Sequence, residues 1–101
     1  MSTSKQDATI PSIVSLRDPS GKEIPNGGTT TETSVIIVGQ AEKMQRVEVF
    51  DGAMSSGLAS VDSVGNWMFQ MKGLSVGAHR VTAKALYGAG AVSAVRTFTV
   101  K

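Results

Sequence analysis

The chain has 101 residues, enough for one hydrophobic core and too few for two. Its 41% hydrophobic and 18% charged residues describe a chain that folds rather than one that stays solvated. With 10 basic residues against 8 acidic, one histidine and no cysteine, the composition excludes a disulfide, a thiol nucleophile and a metal site built on cysteines or several imidazoles. It also makes no electrostatic case for a nucleic-acid partner.

Residues 1–9 are polar and aperiodic and read as a disordered leader, with a single domain over 10–101. Met1 to Asp7 lack the apolar centre of a signal peptide. Ile10 to Arg17 is the first predicted strand. Asp18-Pro19-Ser20-Gly21 follows, with Asp, Pro and Gly at the positions a type I turn prefers. Residues 22–33 are a polar connection whose threonine run offers nothing to a core.

Ser34 to Ala41 is the second strand, centred on Val35-Ile36-Ile37-Val38. That is the longest apolar run, far short of the roughly 20 residues a membrane span needs, so no membrane insertion is expected. An unbroken β-branched run predicts a strand covered on both faces or central in a sandwich. Gln40 to Arg46 contains good helix formers. No capping residue precedes them, and Val47 and Val49 follow at once, so a helical turn is not preferred there. Val47 to Phe50 is the third strand, ending in Asp51-Gly52. Leu58 to Val61 is a short fourth, closed by Asp62-Ser63-Val64-Gly65.

In the fifth strand Trp67, Phe69 and Met71 share one face, and Asn66, Met68, Gln70 and Lys72 the other. Gly73 to Gly77 is a corner. His79, Val81, Ala83 and Ala85 then alternate with Arg80, Thr82 and Lys84 in a sixth strand. Gly88-Ala89-Gly90 breaks it, and Val92 to Val100 is the seventh, with Phe98 and Val100 on one face. Seven short strands, frequent turns, no helix and no cysteine predict an all-β chain: a Greek-key immunoglobulin-like β-sandwich of about seven antiparallel strands without a disulfide. An odd number of alternating strands brings the chain in at one end of the sandwich and out at the other.

Four local patterns resemble the bacterial Ig-like domains that repeat in large surface and adhesin-type proteins. They are Val47-Glu48-Val49-Phe50-Asp51-Gly52, Asp62-x-x-Gly65-Asn66-Trp67, Gly73-Leu74-x-x-Gly77-x-His79 with Val81-x-Ala83-x-Ala85, and Ser93-x-x-Arg96-Thr97-Phe98-Thr99-Val100. They occur in that family's order over residues 10 to 100. The resemblance implies a spacer or adhesive module at the cell surface or in a secreted protein. It implies neighbouring Ig-like repeats in the same chain as partners, no cofactor and no shared catalytic residues. The expected state is a monomer, and a surface protein or a glycan is a further candidate partner.

The residues carry roles of their own on this reading. Trp67 and Phe69 fill the space between the sheets, and Phe98 belongs to the same inner layer. Gly65 and Gly77 serve turns, and Gly65 takes a backbone geometry that a side chain obstructs. Leu74 plugs the sandwich where the chain changes sheet. His79 stands where other sandwiches place a corner tyrosine and ties the corner to nearby backbone.

His79 is also the one residue able to act as a triad base. No Gly-x-Ser-x-Gly elbow accompanies it, and the structural role is preferred. Asp18, Asp51 and Asp62 read as turn formers. Calcium binding needs carboxylates at close range, and Asp51 and Asp62 meet only if their loops share an end. Gly27-Gly28 and Gly88-Ala89-Gly90 do not join a strand to a helix as phosphate cradles do. Lys43, Arg46, Arg80, Lys84 and Arg96 read as a solvated surface. Met44, Met54, Met68 and Met71 read as core or rim fillers, with Met68 marking a contact patch if exposed. Tyr87, beside Gly88, is the aromatic best placed for a sugar-binding alternative.

Overall fold

Alternating apolar residues become paired strands whose inner faces meet. The computed structural model describes residues 9–101, so the expected leader lies outside the described residues except for Thr9. Its strands are β1 (Ser12–Arg17), β2 (Gly28–Thr30), β3 (Val35–Gln40), β4 (Arg46–Asp51), β5 (Met54–Ser60), β6 (Asn66–Met71), β7 (Gly77–Ala85) and β8 (Arg96–Val100). They form a three-stranded sheet, β1-β3-β6, facing a five-stranded sheet, β2-β8-β7-β4-β5. This is the immunoglobulin-like sandwich that the strand count predicts, with one strand more.

The extra strand is β2, and it runs parallel to β8. Its sequence, Gly-Thr-Thr, carries no alternation of apolar residues. What holds it is backbone and one side chain. The Asn26 carboxamide oxygen accepts from Thr97 N at 2.8 Å, and Gly27 N donates to Thr97 O at 2.7 Å. The polar connection also contributes to the interior, contrary to the sequence reading: Ile24 and Thr30 are buried. Residues 41–45 form a turn rather than a helix, with Met44 in the left-handed region at φ 63°.

The inner layer follows the period of two. On β7, His79, Val81, Ala83 and Ala85 are buried while Arg80 and Lys84 are exposed. Leu16, Val35, Ile37, Val47, Val49 and Phe98 complete the densest part, each worth about 1.5–3 kcal/mol by removal from water. Val35-Ile36-Ile37-Val38 belongs to a central strand: β3 has β1 on one side and β6 on the other. Its outer residues, Ile36 and Val38, are only half-buried, so that sheet face is not covered.

Two strands differ in extent from expectation. The fourth begins earlier, at Met54, pairing with Asp51 of β4. The seventh begins later, at Arg96: Val92 makes only an isolated bridge to Lys84. There the buried Ser93 hydroxyl takes the place of a ladder carbonyl, accepting from Ala83 N at 2.9 Å and donating to Ala94 O at 3.0 Å. Pairing then resumes with Arg96 opposite Val81.

Register fixes where the chain comes in and where it goes out. Ser12 opens β1 opposite Gln40, which lies opposite Asn66 at the start of β6. Val100 closes β8 opposite Gly77 and Thr30, beside the corner where Leu74 N donates to Thr33 O at 2.9 Å. Val35 and Met71 pair at that second end. Residues 12 and 100 therefore lie at opposite ends of the sandwich. The chain reverses twice between β1 and β2, so the eighth strand does not alter the result of the odd-number argument.

Candidate functional site

The outlet end gathers the side chains with the most chemistry. β6 finishes at Met71, the chain turns through Gly73 to Ser75, and β7 starts at Gly77, whose φ is 131°. Leu74 is buried beneath this corner. His79 lies two residues into β7 on the inner face, stacked on Phe98 of β8 with ring centroids 5.1 Å apart and planes 19° from parallel. Its Nε2 is 2.8 Å from the carbonyl oxygen of Ser75. Its Nδ1 is 2.5 Å from Oδ2 of Asp51, the last residue of β4. The other Asp51 oxygen accepts from Arg80 N at 3.2 Å.

The tie to corner backbone is the role the sequence predicts for His79, and the Asp51 partner is new. Asp51 reads in sequence as a turn former. Its carboxylate instead crosses to β7, while Gly52 N closes against Arg80 O at 2.7 Å. The separation of 28 residues hides this pair from any local pattern. The expected alternation of β7 puts His79 inside, and an inward imidazole needs polar partners. That was the available signal.

A carboxylate on Nδ1 is one half of a triad. The other half is missing, because Nε2 is occupied by the Ser75 carbonyl and not by a hydroxyl. Ser55 and Ser56 line an open cleft of about 320 Å³ over this corner, with His79 at its wall. Ser55 Oγ is already committed, donating to Glu48 at 2.6 Å. The nitrogen that takes a proton from a nucleophile thus has no free lone pair facing the cleft.

The inlet end is held differently. Trp67, 2% exposed, lies opposite Gly39, and a β-carbon there would overlap its indole ring and the Ser12 carbonyl. Phe69 is half-buried and rests on Gly57 of β5. Asp62 Oδ1 accepts from Val64 N and Asn66 N, both at 2.9 Å, and these bonds, Asn66 first, hold its carboxyl below the usual range. Gly65 sits at φ 94° with the Ala41 carbonyl 3.2 Å from where a β-carbon would lie. Asp62 is at this end and Asp51 at the other, so the two turns do not share an end.

Tyr87 is not a free aromatic platform. It is half-buried against the core, accepts from Glu42 N at 3.0 Å and donates to Thr9 O. Thr9 N in turn donates to the Glu42 carboxylate at 3.0 Å. The residue best suited to a sugar therefore fastens the chain as it arrives. Two surface assignments also change. Arg96 is largely covered, donating to Ile24 O at 2.8 Å and pairing with Glu23 at 3.5 Å. Among Met44, Met54, Met68 and Met71, Met71 is core and the other three are exposed, Met68 by 66%.

No family model matches the sequence, and no curated protein matches it. The fold is similar to a solved structure of the fibronectin(III)-like modules of Clostridium thermocellum CbhA. The likeness has a TM-score of 0.66 at 18% identity and covers 91% of this chain and 96% of that one. At that identity it shows the fold alone, an immunoglobulin-like β-sandwich.

Proposed function

We propose that the chain is a non-catalytic structural module, a spacer or presenting repeat of the bacterial Ig-like kind in a larger cell-surface or secreted protein. The observation that carries this reading is the placement of residues 12 and 100 at opposite ends, with bonds fastening the chain at each. At the inlet Tyr87 and Glu42 hold Thr9. At the outlet β8 is held between β7 and β2, and Lys101 N donates to Thr30 O at 2.9 Å. A sandwich held in this way acts as a bead. Neighbours joined at its two ends extend in line, and the partners are adjacent repeats of the same chain. The similar solved structure is itself one of modules, which agrees with this use.

The mechanism is geometric. The molecule measures 50 Å along its longest axis, of which the 9 residues of β7 span about 30 Å at ~3.3 Å per residue. Small-angle scattering from one, two and four fused copies tests it. A maximum dimension that grows linearly with copy number, by no more than the 50 Å length of one bead, is expected. Copies that fold back into a compact cluster contradict the spacer role.

A further inference from the structure

The buried ring at the outlet end has a property that a corner tyrosine lacks. Both ring nitrogens of His79 face acceptors: the Asp51 carboxylate on Nδ1 and the Ser75 carbonyl on Nε2. Neutral imidazole carries hydrogen on only one nitrogen. Either neutral tautomer therefore sets a lone pair against an acceptor oxygen, in a side chain that is only 7% exposed at the wall of the cleft. Only imidazolium satisfies both contacts at once.

We propose that His79 is a pH-operated fastener: doubly protonated, it ties the end of β4 to the Gly73–Gly77 corner, and loss of one ring proton to solvent releases that corner. The groups around the ring support this. β4 brings Asp51, β8 brings the uncharged face of Phe98, and the corner brings a carbonyl. Lys72 is the other ionisable side chain lining the adjoining cleft. Arg80, next in sequence, points outward and reaches Asp51 through its backbone N–H alone. Asp51 is thereby fixed on both oxygens and does not turn away from the ring.

The direction of the titration agrees. Burial disfavours the charged ring, yet the Ser75 carbonyl and the Asp51 carboxylate outweigh it, and the His79 pKa is raised above the ordinary histidine value. A pKa raised by folding gives stability that is complete below about 6.5, the unfolded value, and is lost as pH rises through the folded value. The corner it guards carries Gly77, the partner of Val100, so release loosens the place where the chain leaves.

His79 is the one histidine in the sequence, which makes its ring signals unambiguous by NMR. The expected results are a ring pKa above about 6.5 and both nitrogens protonated at pH 6. Tm should fall by about 4–8 °C from pH 6 to pH 9, the scale of one lost polar contact in a domain of this size. Amide exchange at Ser75 to Gly77 should accelerate over the same range. Asp51→Asn keeps an acceptor for Arg80 N and removes the charge. It should bring the ring pKa back towards the ordinary value and flatten the Tm profile. A neutral ring at pH 6 in the wild type overturns the proposal, as does an Asp51→Asn protein with unchanged ring pKa and pH profile. The wild-type titration decides the matter even if the variant does not fold.

Discussion

The two ends of this sandwich are closed by different chemistry. At the inlet an indole fills the gap: Trp67 sits in space that Gly39 leaves for it, and its Nε1 is buried with no hydrogen-bond partner among the described residues. At the outlet an imidazole fills the equivalent place, stacked on Phe98 and pinned by an acid and a carbonyl. The inlet plug depends on volume and is indifferent to mild changes of pH. The outlet plug depends on a proton. A sandwich without a disulfide thus closes one end by packing and the other by charge, and each should fail under its own conditions.

The largest effect belongs to the inlet plug. Trp67→Ala should cost about 3–5 kcal/mol, a large part of the roughly 5–15 kcal/mol available to a domain of this kind. The loss should be the same at pH 6 and pH 9. Chemical denaturation at the two values tests both statements, and a pH-dependent loss would erase the contrast between the ends. Trp67→Phe should cost clearly less, since it removes ring area and an unpaired N–H together. Gly39→Ala comes next, at about 1–3 kcal/mol, because the added carbon overlaps the indole and the Ser12 carbonyl and neither has room to retreat. A neutral Gly39→Ala substitution would show that the ring and strand β1 are not held as tightly as their contacts indicate.

Acid, unlike alkali, acts on both ends. The carboxyl of Asp62, at the inlet, lies below the usual range because Asn66 and Val64 amides donate to it. Asp18, in the first turn, is lowered chiefly by the Ser20 hydroxyl, with backbone bonds from Lys22 and Ser20. A pKa depressed by folding gives stability that is present above about 3.9 and is lost as pH falls below it. Acid therefore loosens turns at both ends, whereas alkali loosens only the corner around His79. Asp62→Asn keeps an acceptor oxygen for the turn but removes the charge, so it should lower Tm slightly at pH 6 and flatten part of the decline between pH 5 and pH 3. A decline identical to wild type would mean that Asp62 does not couple the turn to acid.

What was legible in the sequence follows the range of the forces involved. Period-two alternation is local, so β3, β6 and β7 are readable with their inner faces, and Trp67, Phe98 and His79 fall inside. The Asp62 and Asp18 turns are readable because side chain and amide are within four residues. β2 was not readable: its three residues owe their pairing to Asn26 and Thr97, which are 71 residues apart. Asp51 and Tyr87 were misplaced for the same reason. Each has a residue type suited to a turn or a sugar site, and each finds its partner 28 or more residues away. Alternation set Met68 on the face opposite Trp67, and it is exposed there, while Met44 and Met54 fall outside any alternating run and gave no such signal.

The smallest effect concerns how the chain is held on arrival. The Tyr87 hydroxyl receives Glu42 N and donates to Thr9 O, while its ring packs against the core. Tyr87→Phe keeps the ring and removes both bonds. Glu42 N and Thr9 O lie near the surface and can turn to water, so the loss should be under about 1 kcal/mol. The change should be local: amide exchange at Glu42 should quicken, and the exchange of Ser75 to Gly77 at the far end should not move. The glycan alternative makes the opposite demand, because a ring that binds sugar must be free on one face. If Tyr87→Phe leaves exchange at Glu42 untouched, the hydroxyl does not fasten the inlet.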